Sequence, residues 1–209
     1  MKHFKLTTEF IENIYGTKLF RIELTIDCKW GKAGDKGGFL EKEENLYGDA
    51  WVYGDAWVYG DAQVSGNAQV YGDAQVSGNA QVDGNAQVSG NAWVSGDARV
   101  YGNAQVYGNA WVYGDARVYG NAQVYGDAQV YGNAHEKSPI QIQGSRHFVN
   151  YCGNVEIKIG CKIGTFDWWK ENYVSVGKNN NYTDEEIKEY GMYIDLITAC
   201  KKAIKEGER

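Results

Sequence analysis

Proline is almost missing: Pro139 is the single one in 209 residues. Collagen-like chains need much proline and a glycine at every third position. Disordered segments are rich in proline and poor in aromatics. This chain carries 16 Tyr, 7 Trp and 6 Phe, so both classes are excluded. No apolar run approaches the roughly 20 residues of a membrane span. The opening MKHFKLTTEF alternates charged with apolar residues and has no apolar leader core. A cytoplasmic location away from membranes is therefore expected. Cysteine is sparse as well. Cys28, Cys152, Cys161 and Cys200 are scattered with no CxxC spacing, whereas a disulfide framework is denser. Reduced, buried thiols are expected rather than a zinc site.

Positive charge is missing from the middle of the chain. Residues 1–44 carry eight basic and eight acidic side chains, and residues 135–209 carry eleven of each. Residues 45–134 hold no Lys, two Arg (Arg99 and Arg117) and eight Asp, so the net charge of −6 belongs to this segment alone. Nucleic-acid surfaces need clustered Lys and Arg, and anionic membranes attract the same residues. Neither partner is expected.

What the middle segment does have is glycine at a fixed spacing. From Asp49 to Gly132 the pattern Asp/Asn-Ala-x-Val-x-Gly recurs through fourteen consecutive hexads. Ala and Val stand two apart, so in an extended segment they point to one side. The x positions, filled by Gln, Trp, Tyr, Ser and Arg, point to the other. Gly followed by Asp or Asn accepts unusual backbone angles most cheaply and makes a corner. One hexad buries too little to be stable alone, but stacked copies bury Val on Val and Ala on Ala. A helix is excluded, because period six makes no 3.6-residue stripe and each glycine would cost about 1 kcal/mol.

Ala50-Trp51-Val52-Tyr53-Gly54-Asp55 and its copies resemble the hexapeptide repeat of left-handed parallel β-helices. The resemblance implies a triangular prism with three hexads per coil, aliphatic side chains inside, and between four and five coils. It covers residues 45–134. The implied organisation is an N-terminal β-hairpin cap and lead-in segment over 1–44, the β-helix over 45–134, and a C-terminal α+β cap over 135–209. The lead-in Lys32-Ala33-Gly34-Asp35 with Gly37-Gly38-Phe39 resembles that of a group of bacterial and phage-encoded hexapeptide-repeat proteins. That likeness implies a phage accessory protein acting on a host factor, such as a defence protein, in the host cytoplasm.

With three hexads per coil, residues 18 apart lie on one wall. One wall carries Trp57, Trp93 and Trp111 with Tyr59, Tyr113 and Tyr131. A second carries Trp51, Tyr53, Tyr71, Tyr107 and Tyr125. The third carries Arg99 over Arg117, Tyr101 over Tyr119, and Asp83. Large exposed aromatic patches mark interfaces, and the resembled family trimerises through its prism faces. A homo-oligomer, in particular a homotrimer, is expected. The alternative is that the rings only stiffen each sheet by stacking.

At the N-terminus, Lys18–Asp27 alternates as a half-buried strand and pairs with a strand around Phe4–Phe10 across a turn at Asn13–Thr17. The glycine-rich stretch from Gly31 fits neither a P-loop nor GxGxxG. Beyond Pro139, read as a boundary, Ile140–Ile142 and Val155–Ile163 read as strands. Thr165 caps a short helix with Trp168 and Trp169. Thr183-Asp184-Glu185-Glu186 is a capping box opening a helix whose Ile187, Tyr190, Ile194, Ile197, Cys200 and Ile204 share a face.

Catalytic signals are weak. Hexapeptide acyltransferases use a His base beside an inserted loop, and γ-type carbonic anhydrases hold zinc on three His. The chain has His3, His135 and His147, an array without insertion, and only His135 in the repeat register. No catalytic residue, metal or cofactor is expected. Two readings remain. In one, a rigid oligomeric scaffold binds a protein partner through Trp57, Trp93 and Trp111, residue types that dominate such contacts. In the other, Arg99 and Arg117 with Tyr101 and Tyr119 clamp a small anionic ligand such as a nucleotide signal. An acyltransferase is a third, lesser alternative.

Overall fold

The computed structural model describes residues 2–131, 135–136, 140–153 and 155–207. Two compact units divide the chain, Met1–Ser138 and Pro139–Arg209. Each hexad forms one two-residue strand, from Trp51–Val52 through Gln129–Val130. The strands sort into three parallel stacks of about five rungs, with His135–Glu136 joining the stack of Arg117–Val118. The register is 18 residues throughout: Val94 pairs with Val76 on one side and Val112 on the other. Backbone bonds run to the next rung, as from Trp93 N to Ala110 O at 2.9 Å and Ser95 N to Val112 O at 2.9 Å. The repeated Ala and Val side chains, from Ala50 to Val130, form a continuous buried core.

The corners explain the glycines. Gly66 has φ of +66°, a region that L side chains rarely adopt, and a Cβ built on it would lie 2.9 Å from both N and O of Gly84 on the next rung. Asn side chains run up the corners beside them. Asn67 donates to Asn85 at 3.3 Å, Asn85 to Asn103 at 3.1 Å, and Asn103 to Asn121 at 3.1 Å. A second column runs from Asn91 to Asn109 to Asp127, and a third from Asn79 to Asp97.

Three strands precede the array. β1 (Phe4–Glu12) and β2 (Lys18–Leu24) form the antiparallel hairpin, and β3 (Lys36–Leu40) pairs antiparallel with β2. On its other edge β3 pairs in parallel with the rung Trp57–Val58. One strand thus converts hairpin pairing into rung stacking and covers an edge that would otherwise invite polymerisation. The Gly37-Gly38 pair makes this approach possible. A Cβ on Gly37 would sit 2.5 Å from Val52 O, and one on Gly38 2.6 Å from Ala56 O.

The cap corrects one expectation. Trp51 occupies an outward register position but is 1% exposed, packed in one cluster with Phe4, Ile22, Leu24 and Leu40. The cap brings apolar surface from outside the repeat and covers this outward position. It also brings a cation to the foot of each corner column. Lys29 Nζ lies 2.6 Å from Asn67 Oδ1 and 3.8 Å from Asp49. Arg21 lies 3.5 Å from Asp55 and donates to Gly54 O at 2.8 Å. Lys42 lies 2.7 Å from Asp61.

In the second unit four antiparallel strands follow one another: Gln141–Gln143, Phe148–Gly153, Glu156–Ile159 and Lys162–Thr165. The single strand expected over Val155–Ile163 is instead a hairpin turning at Gly160, φ +56°. α1 (Phe166–Asn179) starts with Thr165 Oγ1 accepting from Trp168 N at 3.2 Å. α2 (Asp184–Gly207) opens on the expected capping box, Glu186 N to Thr183 Oγ1 at 3.2 Å and Thr183 N to Glu186 Oε2 at 2.8 Å. Ile187, Tyr190, Ile194 and Ile197 are buried on one helical face, the last three in a core with Val149, Ile157 and Trp169. Pro139 and the side chain of Ile204 lie outside the described residues. All four cysteines are free thiols, but only Cys152 is buried; Cys28 and Cys200 are half-buried and Cys161 is exposed.

Candidate functional site

The stack that begins with β3 builds the aromatic wall, in the order Phe39, Trp57, Gln75, Trp93, Trp111, Gln129. Trp93 and Trp111 sit on adjacent rungs with centroids 5.3 Å apart at 77°, an edge-to-face pair. Trp93 Nε1 donates to Ser77 Oγ at 3.1 Å, which lays the indole down over the rung below. Trp111 is 42% exposed. Beside them Tyr113 and Tyr131 stack at 5.1 Å and 17°. From Gln75 to Tyr131 the strand positions of this wall carry no charged side chain. Trp57 does not join the pair. Gln75 lies between, and its other neighbour Phe39 is covered by Arg21, whose guanidinium carbon is 3.9 Å from the ring centroid.

On another wall Arg99 and Arg117 are register partners, and both are exposed. Among the described residues neither forms an ion pair. Tyr101 and Tyr119 stack alongside at 5.2 Å and 7°. Gln81 is the partner of Arg99 on the rung below. The remaining wall carries Gln69, Gln87, Gln105 and Gln123 above the buried Trp51, with Tyr107 stacked on Tyr125 at 5.4 Å.

Two features escaped the sequence reading. The tip of the β1–β2 hairpin presents Ile14 and Tyr15, 91% and 73% exposed. Its turn is held by Asn13 Oδ1, which accepts from Tyr15 N at 2.9 Å and Thr17 N at 3.0 Å. Both residues lie within a segment read only as a turn. The second feature is His3, which lines two adjoining recesses together with Gly48 and Asp49. Its Nε2 is buried without a hydrogen-bond partner, and burial lowers the imidazole pKa below the ordinary 6.5. Among the described residues no group of three His, Cys, Asp or Glu side chains is placed to hold a metal ion. No described helix is long and apolar enough to cross a membrane.

Parallel two-residue rungs in 18-residue register, with an aliphatic core, define a repeat β-helix, and the chain is a β-solenoid repeat protein. Its array matches the family model described as the YdcK beta solenoid repeat at residues 62–78, 74–90, 86–102, 92–108, 98–114, 104–120 and 110–126. No curated protein matches the chain.

Proposed function

We propose that the protein is a non-enzymatic oligomeric scaffold, a homotrimer joined through the wall of Trp93, Trp111, Tyr113 and Tyr131. The observation that carries this reading is the aromatic cluster on a wall without charge between its corners. Such a surface can be desolvated against a second copy without stranding a buried ion, and Trp and Tyr are the residues that anchor interfaces. The Arg-bearing wall cannot pack on its own copy at that low cost. The resemblance to phage-encoded repeat proteins supports the further reading that the assembled rod engages a host factor with its remaining surface.

The test is light scattering coupled to size exclusion at micromolar concentration. The wild-type chain runs as a trimer. Trp93→Gln with Trp111→Gln, which repeats the side chain already found at Gln75 and Gln129, runs as a folded monomer. A monomeric wild type overturns the proposal, as does a trimer that survives both substitutions.

A further inference from the structure

We propose that the wall of Arg99, Arg117, Tyr101 and Tyr119 is a binding site for an aromatic phosphate of the nucleoside monophosphate class. The inference stands on a different wall from the oligomer contact and does not rest on it.

Parallel in-register pairing sets Arg99 beside Arg117, the two being Cα partners on adjacent rungs. Like charges placed directly opposite destabilise a sheet. Neighbouring rungs are about 4.8 Å apart, a spacing at which two guanidinium groups can hold one tetrahedral phosphoryl group from two sides. These are the only two cationic side chains of residues 45–134, whose eight Asp otherwise make the array acidic. At the N-terminal end of the array the neighbouring cations have counter-ions. Lys29, Arg21 and Lys42 each stand against a corner Asp. Among the described residues Arg99 and Arg117 have no such partner, so a phosphate would be their first.

The tyrosines supply the second half of the site. Tyr101 and Tyr119 are stacked nearly parallel, 7° apart, with centroids 5.2 Å apart. That gap does not admit a base between them. The face of Tyr101 turned away from Tyr119 is directed to the rung below, where the register position holds Asp83. Its side chain is too short to cover a phenol ring, and Tyr101 stays 36% exposed. A purine stacked there has its edge beside Gln81, the register partner of Arg99, with its phosphate reaching up to the guanidinium pair. The array thus places a ring platform, an amide and two cations along one strip of a single wall.

Isothermal titration with AMP, inorganic phosphate and adenosine tests the proposal, with circular dichroism to verify that each variant is folded. AMP binds saturably and at least tenfold more tightly than either fragment. Arg99→Gln with Arg117→Gln weakens AMP at least tenfold, and Tyr101→Ala removes the advantage of AMP over phosphate. AMP binding that fails to saturate at millimolar concentration overturns the proposal. So does affinity unchanged by the double arginine substitution, or equal affinity for AMP and phosphate in the wild type. The Trp93/Trp111 double variant keeps its AMP affinity, so failure of the oligomer proposal is read separately.

Discussion

Replacing Gly66 by alanine tests two separate demands of the corner. The first is the backbone angle. At φ of +66° an L residue pays about 1–2 kcal/mol. The second is the neighbouring rung. A Cβ here lies 2.9 Å from Gly84 N and O and 3.2 Å from its Cα. These are backbone atoms fixed by the ladder, so the overlap is relieved only by parting two rungs, at about 1–3 kcal/mol. Gly66→Ala is therefore expected to cost about 2–5 kcal/mol. Gly54 supplies the control. Its φ is +59°, but a Cβ there reaches only ordinary van der Waals contact, 3.7 Å from Gly72 O. Gly54→Ala should cost only the angular part, about 1–2 kcal/mol. Urea unfolding of both variants, extrapolated linearly to water, measures the difference. Equal losses at the two positions would refute the claim that close rung stacking, and not backbone angle alone, demands glycine.

Two further outcomes follow from burial. Burial lowers the imidazole pKa of His3 below its ordinary value, so over that interval the folded state binds fewer protons than the unfolded chain. Its contribution is fully present above the unfolded pKa near 6.5 and is lost as pH falls below it. Thermal melts between about pH 7.5 and pH 5.5 should show a steeper loss for wild type than for His3→Gln, and parallel curves would contradict it. Cys152 is fully buried and its thiol is pushed up to about 12, whereas Cys161 is exposed. Because the thiolate is the reactive form, a maleimide should label Cys161 in the native protein and reach Cys152 only after denaturation. Mass spectrometry of the labelled peptides decides it.

The array was legible because everything that defines a rung sits within six residues and recurs in phase. Knowing that three hexads close a turn was enough to place Trp111 over Trp93 and Arg117 over Arg99. Trp51 reads as an outward residue because its hexad is indistinguishable from its neighbours, whereas what buries it comes from Phe4, Ile22 and Leu24. The cations at the corner columns escaped for the same reason. Nothing near Lys29 in the chain announces Asn67. Trp57 fits the wall arithmetic but is separated from Trp93 by Gln75, a spacing the periodicity did contain. Val155–Ile163 reads as one strand because Ile157, Ile159 and Ile163 keep odd parity across the Gly160 turn. Parity alone does not distinguish a continuous strand from a hairpin.

The 18-residue register also restricts how such a gene can change length. Inserting a single hexad between Arg99 and Trp111 would carry every later side chain round to the adjacent wall. Trp111 would then stand over Arg99, and the indole pair and the guanidinium pair would be lost together. Gaining or losing three hexads at once lengthens or shortens the rod and leaves each downstream residue on its own wall. Replication slippage in this tract is therefore read in steps of 54 nucleotides, a frame set by side-chain stacking on top of the one set by codons.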